Sequence, residues 1–376
     1  MPKFGAESFF CCNFAAMKIH VFNPEHDIAL ATNVEQFTAP HAGRQLRSDL
    51  GFLPALWADD GDMVVVDDIE AALHGVRHLK RKSADVLFVM LADLKHIGRE
   101  KSIPLSVWGM DISIRKQLLD AGIPASWMLE KAALNELRDI SNRRWASSKL
   151  LPRLVEKDEH FVGSAEYITR LEDLTVSAGG VVLKAPWSSS GRGIRYMQQL
   201  DTPVARWAQN VIRRQGGLMV EPFYHKVKDF GMELMAQVDG SVEYSGLSLF
   251  KTENGAYIGN ILATEDDKRR MMANYVDLRL LDRLEEEICL ELSSLLQGKY
   301  HGPLGIDMMI VAQENHEGFL LHPCVEMNLR RTMGHVALAL SPTSAEPQGI
   351  MRISYHDKYH LRVINTNENL VNTTVY

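Results

Sequence analysis

The segments at 63–66 (Met-Val-Val-Val) and 86–90 (Val-Leu-Phe-Val-Met) are short, wholly apolar runs. Runs of this kind read as strands buried on both faces, which in practice means a parallel sheet covered by helices. Two further segments fit the same sheet. One is 18–22 (Lys-Ile-His-Val-Phe), and the other is 105–109 (Leu-Ser-Val-Trp-Gly), which runs into a helix over about 112–121 stopped by Gly122 and Pro124. Strands alternating with helical spans make residues 17–130 an N-terminal α/β domain. Ligands of such sheets sit beyond the C-terminal strand ends. That places Asn23, Glu25, His26 and Asp27, and Trp108, Asp111 and Arg115, on a binding rim. Trp108, Asp111 and Arg115 hint at a polar, amino-acid-like ligand. His26 and Asp27 also read as a helix N-terminal cluster, with Asp27 favouring the dipole.

The 376 residues exceed what one core usually serves, so two or three domains are expected. A 46% hydrophobic and 24% charged composition is that of a globular chain, and a net charge of −7 argues against a dedicated nucleic-acid binder. Cys11, Cys12, Cys289 and Cys324 fit neither a disulfide framework nor a zinc spacing, so a reducing cytoplasm is the simplest compartment. No apolar run reaches the roughly 20 residues that cross a bilayer. Residues 1–16 read as a disordered leader or an upstream-start artefact, with a weak signal peptide as the other option.

Residues 131–175 read as helical and polar, with Arg143, Arg144 and Lys149 in one stretch. Then comes an apolar strand at 181–184 ending in Lys184, stopped by Pro186. Behind it lies a small-residue loop: Ser188, Ser189, Ser190, Gly191, Arg192 and Gly193. Such a loop can bring backbone N–H groups close to an anion, with Lys184 and Arg192 adding charge. It matches neither the P-loop nor the dinucleotide fingerprint. Two readings stay open at this point: a phosphate-handling loop, or a surface hairpin that holds a lysine and an arginine. A helix follows over about 203–215, and then a short strand at 218–223. An antiparallel pair at 231–237 and 242–250 is joined by Asp239-Gly240. One or two long amphipathic helices span 266–296.

Apolar strands at 305–311 and 319–328 carry Asp307 near the start of one, and Glu326 and Asn328 at the end of the other. Paired as a hairpin, the two acids can face one another, and Asn328, two residues on, shares the side of Glu326. Two carboxylates and an amide oxygen are hard ligands suited to magnesium or manganese. The alternative is a solvated edge hairpin. Arg330 and Arg331 follow, placed to hold a transferring phosphoryl group or a substrate carboxylate; one of them reads equally as a surface arginine.

In order, a strand lysine, a Ser/Gly loop, an apolar strand ending in Glu-Pro, an Asp and a Glu-x-Asn resemble the ATP-grasp superfamily. Within it they are similar to the D-alanine–D-alanine ligase and carboxylate–amine ligase group. The resemblance covers about residues 140–340. It implies an α/β and α+β chain: an ATP-grasp fold preceded by an N-terminal parallel, Rossmann-like domain. The first grasp subdomain would occupy 131–217, and the second, with the metal site and a C-terminal extension, 218–376. It implies ATP and Mg2+ or Mn2+ as cofactors. Lys184 would be the lysine on the α- and β-phosphates, and residues 188–193 the loop closing over them. The hinge strand (Val220, Glu221, Phe223) would meet the adenine, and Asp229 the ribose hydroxyls. Arg144 or Lys149 would be an additional cation, and Asp307, Glu326 and Asn328 the metal ligands. Glu25, His26 or Asp27, after the first strand, would orient substrate as a glutamate loop there does in D-alanine ligases, and Asp111 on the rim is a further substrate candidate. Lys184, Arg330 and Arg331 would serve catalysis. The implied reaction activates a carboxylate as an acyl phosphate and joins it to an amine, with small-molecule substrates and no nucleic acid or membrane; a homodimer is compatible. Arg330-Arg331-Thr332-Met333-Gly334-His335 departs from the Ser/Pro/Gly turn frequent in the ligases, which leaves the substrate, though not the nucleotide, open. Two alternatives from other classes stand beside the ligase: a phosphotransferase on the same scaffold, or a nucleotide-binding regulator without turnover.

Overall fold

The computed structural model describes residues 17–79, 83–99, 101–177, 179–188, 193–253, 256–313, 318–342 and 348–365. The expected leader at 1–16 lies outside them, as do Ser189, Ser190, Gly191 and Arg192.

The first unit contains β1 (Ile19–Val21), α1 (His26–Thr32), α2 (His41–Leu50), β2 (Met63–Val66), α3 (Ile69–Leu79), β3 (Leu87–Met90), β4 (Leu105–Val107) and α4 (Ile112–Asp120). Its sheet is parallel in the order β3-β2-β1-β4. Every residue of β2 is buried. Burial of such side chains contributes roughly 1.5–3 kcal/mol each, which is why the apolar runs become strands. The order puts β1 beside β4, so the rim residues expected after each strand meet. Asn23 Nδ2 donates to Gly109 O at 2.8 Å. Asp111 caps α4 by accepting from the backbone N–H groups of Ser113 and Ile114.

Three helices follow: α5 (Lys131–Ile140), α6 (Arg143–Lys149) and α7 (Leu151–Val155). The expected helical character ends there, since Glu166–Ile168 is a strand, β5. Then come β6 (Val181–Lys184), β7 (Ile194–Met197), α8 (Thr202–Gln215) and β8 (Leu218–Pro222). They form an antiparallel sheet in the order β5-β8-β6-β7, with α8 packed on it through Trp207, Ala208 and Val211. β8 therefore belongs to this sheet and not to the unit that follows.

The rest of the chain comprises β9 (Lys226–Ala236), β10 (Val242–Ser248), β11 (Phe250–Glu253), β12 (Ala256–Leu262), α9 (Glu265–Met272), α10 (Leu278–Leu296), β13 (Gly302–Ala312), β14 (Phe319–Asn328), α11 (Met333–Leu340), β15 (Gly349–Tyr355) and β16 (Tyr359–Asn365). One antiparallel sheet runs β10-β9-β13-β14. It shares the largest apolar core with α6, α7 and α10, including Leu150, Leu154, Leu284, Ile288 and Ile306. A second sheet runs β11-β12-β15-β16. Its Leu262, Met351 and Leu361 join Phe22, Phe52 and Trp108 in one cluster, with α11 between them. That shared core fixes the N-terminal rim against the end of β14. Among the described residues, no helix is long and apolar enough to cross a membrane.

Candidate active site

Asp307 and Glu326 are direct partners in the β13–β14 register, and Gly305 faces Asn328. Asn328 Nδ2 donates to Asp307 Oδ2 at 3.2 Å. Burial, reinforced by the charges of Glu326 and Glu233, pushes the Asp307 carboxyl up to about 8. A buried acid in that condition lacks sufficient compensating positive charge. Two facing carboxylates and an amide oxygen are the donor set a hard divalent cation takes, so the residues fit Mg2+ or Mn2+. No cluster of three His, Cys, Asp or Glu side chains offers a competing metal site among the described residues.

Glu326 is also bonded to Arg143, whose Nη2 lies 2.6 Å from Glu326 Oε1. Arg143 is buried and is the first residue of α6, fixed in phase by Asn142, whose side chain caps the helix. Its guanidinium also donates to Ala185 O at 2.7 Å and to Ser188 Oγ at 2.7 Å. The arginine thus ties the start of the Ser/Gly loop to the carboxylate strand. Arg144 instead covers the ring of Tyr167 at 4.5 Å, and Lys149 is exposed. Neither lines the cleft, so the cation brought into it from this stretch is Arg143, their neighbour. The N-cap at Asn142 is the sequence signal that sets this phase.

Lys184 ends β6 buried, with Nζ 2.5 Å from Glu221 Oε2 on the neighbouring strand. The base of the loop closes where Ala185 N donates to Gly193 O at 2.8 Å. A Cβ at Gly193 would lie 2.2 Å from Ser188 Oγ, so this close approach needs glycine. Trp187 anchors the same loop: its Nε1 donates to Arg138 O, and the Arg138 guanidinium lies 3.8 Å over the ring. On β8, Val220 is flanked by Leu183 on one side and Glu166 on the other. β5 ends there, so the unflanked strand edge begins at Glu221. Phe223 is part of an aromatic contact with Tyr196 and His225. Asp229 accepts from Thr252 Oγ1 and Lys226 Nζ at 2.6 Å each, in the first half of β9.

The N-terminal rim supplies the other wall. Asp27 takes a two-pronged bond from Arg330, at 2.9 and 2.7 Å, and Arg330 also donates to Asn328 Oδ1 at 2.8 Å. Burial works to raise the Asp27 carboxyl, and the Arg330 guanidinium overrides it, holding the group below the ordinary carboxylate value. Arg331 turns away and stacks on Trp57 at 4.5 Å, its guanidinium lowered to about 10 by burial. Glu25 points to Arg47, 2.9 Å away, and does not line the cleft. His26 does line it, with Nδ1 2.8 Å from Asp111 Oδ2. One cleft therefore receives His26 and Asp27 from the rim, Arg143 from α6, Ser188 from the loop, and Glu326, Asn328 and Arg330 from β14 and the turn behind it. His322 on β14 is buried with neither ring nitrogen hydrogen-bonded. Burial first, and then the charge of Lys184, lower it to about 3.

No protein-family model and no curated protein matches the chain. Solved structures do match, at low identity. An N5-carboxyaminoimidazole synthetase from Staphylococcus aureus complexed with ADP is 10% identical over 95% of both chains, with a TM-score of 0.48. An ATP-grasp superfamily protein from Archaeoglobus fulgidus is 13% identical over 94% of this chain and 100% of the other, at 0.44. An L-amino acid ligase from Bacillus licheniformis is 12% identical over 90% and 79%, at 0.43. At these values the likeness assigns no activity and no ligand to the present chain.

Proposed function

We propose that this chain is an ATP- and divalent-metal-dependent ligase of the ATP-grasp kind, which activates a small carboxylate as an acyl phosphate and joins it to an amine. The observation that carries the reading is the facing pair Asp307 and Glu326, bonded through Arg143 to the start of the Ser/Gly loop. A metal ligand set and an anion-binding loop joined by one buried cation are the parts needed to hold a triphosphate. Lys184 and Glu221, on adjacent strands beside the loop, support the nucleotide assignment.

In this reading Asp307, Glu326 and Asn328 would hold the metal ion, which when bound neutralises charge on the nucleotide phosphates. Lys184 stabilises phosphate oxygens from a rigid strand. Arg143 keeps Glu326 oriented and positions Ser188 at the mouth of the loop. The loop bounded by Ser188 and Gly193 would exclude water from an intermediate that water destroys. Arg330, fixed by Asp27 and lining the cleft, binds a carboxylate or phosphoryl oxygen there.

The test is product analysis after incubation with ATP, Mg2+ and panels of carboxylates and amino acids, with Lys184→Ala as control. A ligase releases free phosphate and a condensed product. Phosphate retained on an acceptor establishes a phosphotransferase instead, and no nucleotide turnover with any pair leaves a nucleotide-binding protein.

A further inference from the structure

The pairing of His26 with Asp111 is not used by the nucleotide or metal assignment. Asp111 is almost fully buried and immobilised, because its Oδ1 caps α4 by accepting from Ser113 N at 2.8 Å and Ile114 N at 2.9 Å. Its other oxygen, Oδ2, lies 2.8 Å from His26 Nδ1. With the proton on Nδ1, the lone pair of the neutral ring is on Nε2. The ring lies against the backbone of Gly109, where an added Cβ would sit 2.4 Å from ring carbons Cγ and Cδ2. Gly109 is itself held by Asn23, which bonds both its carbonyl and its N–H. The imidazole is therefore fixed in tautomer, tilt and position, while Nε2 forms no hydrogen bond among the described residues.

The other titratable groups of this cleft are committed. Asp27 gives both oxygens to Arg330, and Glu326 is bonded to Arg143 and assigned to the metal. A buried imidazole oriented by a carboxylate and opening on a reaction cleft is the arrangement of a general base.

We infer that His26 is the general base that deprotonates the acceptor, a primary amine arriving as its ammonium ion, with Asp111 and Gly109 as positioning residues. This rests on the ligase reading above. His26 Nε2 takes a proton from the ammonium. The freed nitrogen lone pair attacks the acyl carbon, the C–N bond forms and the C–O bond to phosphate breaks. Phosphate leaves with the bonding pair and receives the second amine proton, and His26 returns its proton to water.

Hydroxylamine separates this step from activation, because it is uncharged at neutral pH and needs no base. Proteinogenic L-amino acids and short dicarboxylic acids are supplied singly as donors with ATP and Mg2+, and either glycine or hydroxylamine is the acceptor. Hydroxamate is read as its ferric complex and amide by mass. His26→Gln is expected to keep hydroxamate formation near wild type and to lose amide formation by on the order of 10²- to 10⁴-fold. Asp111→Asn and Gly109→Ala, which disturb the ring's orientation while His26 remains, are expected to shift the same ratio in the same direction. Equal loss of both products in His26→Gln, or loss of neither, overturns the base assignment while wild-type hydroxamate upholds the ligase reading. Absence of hydroxamate from the wild type with every donor overturns the ligase reading, and this inference with it.

Discussion

Arg143 Nη2 and Glu326 Oε1 stand 2.6 Å apart although 183 residues separate them in the chain. The same guanidinium reaches Ser188, so a single side chain connects the loop, the helix and the strand that carries Glu326. Arg143→Met is expected to lower ATP turnover by on the order of 10²-fold, comparable to removing one preorganised charge from a reaction site. It is also expected to destabilise the fold by about 1–3 kcal/mol, since polar partners at Ala185, Ser188 and Glu326 lose their donor. Arg144→Ala and Lys149→Ala are the controls and should leave turnover near wild type. Phosphate release and urea midpoints on the three variants check this; undiminished turnover in Arg143→Met refutes the link.

In the metal-free protein the contribution of Asp307 to stability should fall as pH rises. Asp307 holds its proton up to about 8 in the folded state, against an ordinary carboxylate value of 3.8. Between those values the folded state binds more protons than the unfolded state, so unfolding free energy falls as pH increases through the window. Thermal melts in chelator should show that decline as the difference between wild type and Asp307→Asn. The variant is then more stable than wild type near pH 8, yet inactive. A wild-type melting temperature that rises from pH 4 to pH 8 relative to that of Asp307→Asn contradicts the assignment.

His322 works in the opposite sense. Its value is lowered from 6.5 to about 3, so the unfolded chain binds more protons between those limits. The stabilisation from keeping it neutral is present above pH 6.5 and is lost as pH falls toward 3. His322→Leu removes two unpartnered buried nitrogens together with the titration. It should therefore unfold at lower pH than wild type in an acid titration followed by circular dichroism. An unchanged acid midpoint counts against a buried neutral imidazole.

Much of the site could be read from residue pattern. The hairpin of two apolar strands placed Asp307 opposite Glu326 because side chains alternate with a period of two, and the register is indeed direct. The rim was legible because β1 and β4 carry their polar residues just past apolar runs, and they pair. Arg143 lines the cleft in place of its neighbours because its direction depends on the first-turn phase of a seven-residue helix, which only the Asn142 cap reveals. Glu166–Ile168 offers three residues and no periodicity, so nothing local marks it as a strand. The sheet of β11, β12, β15 and β16 was missed for a different reason. It is completed by pairing 259–262 with 349–352, a long-range contact that no local window contains. Whether Arg330 and Arg331 share a role was likewise undecidable from adjacency, since consecutive residues diverge to Asp27 and Trp57.

The most direct test of the nucleotide–metal site is Mg2+-dependent phosphate release from ATP, measured over the donor and acceptor panel for wild type, Lys184→Ala and Glu326→Ala. Circular dichroism and urea midpoints establish that each variant is folded. The expected result is turnover in the wild type with at least one pair and none in either folded variant. Turnover by Glu326→Ala at the wild-type rate contradicts the metal assignment, and with it the reading of this cleft as an ATP-dependent ligase site.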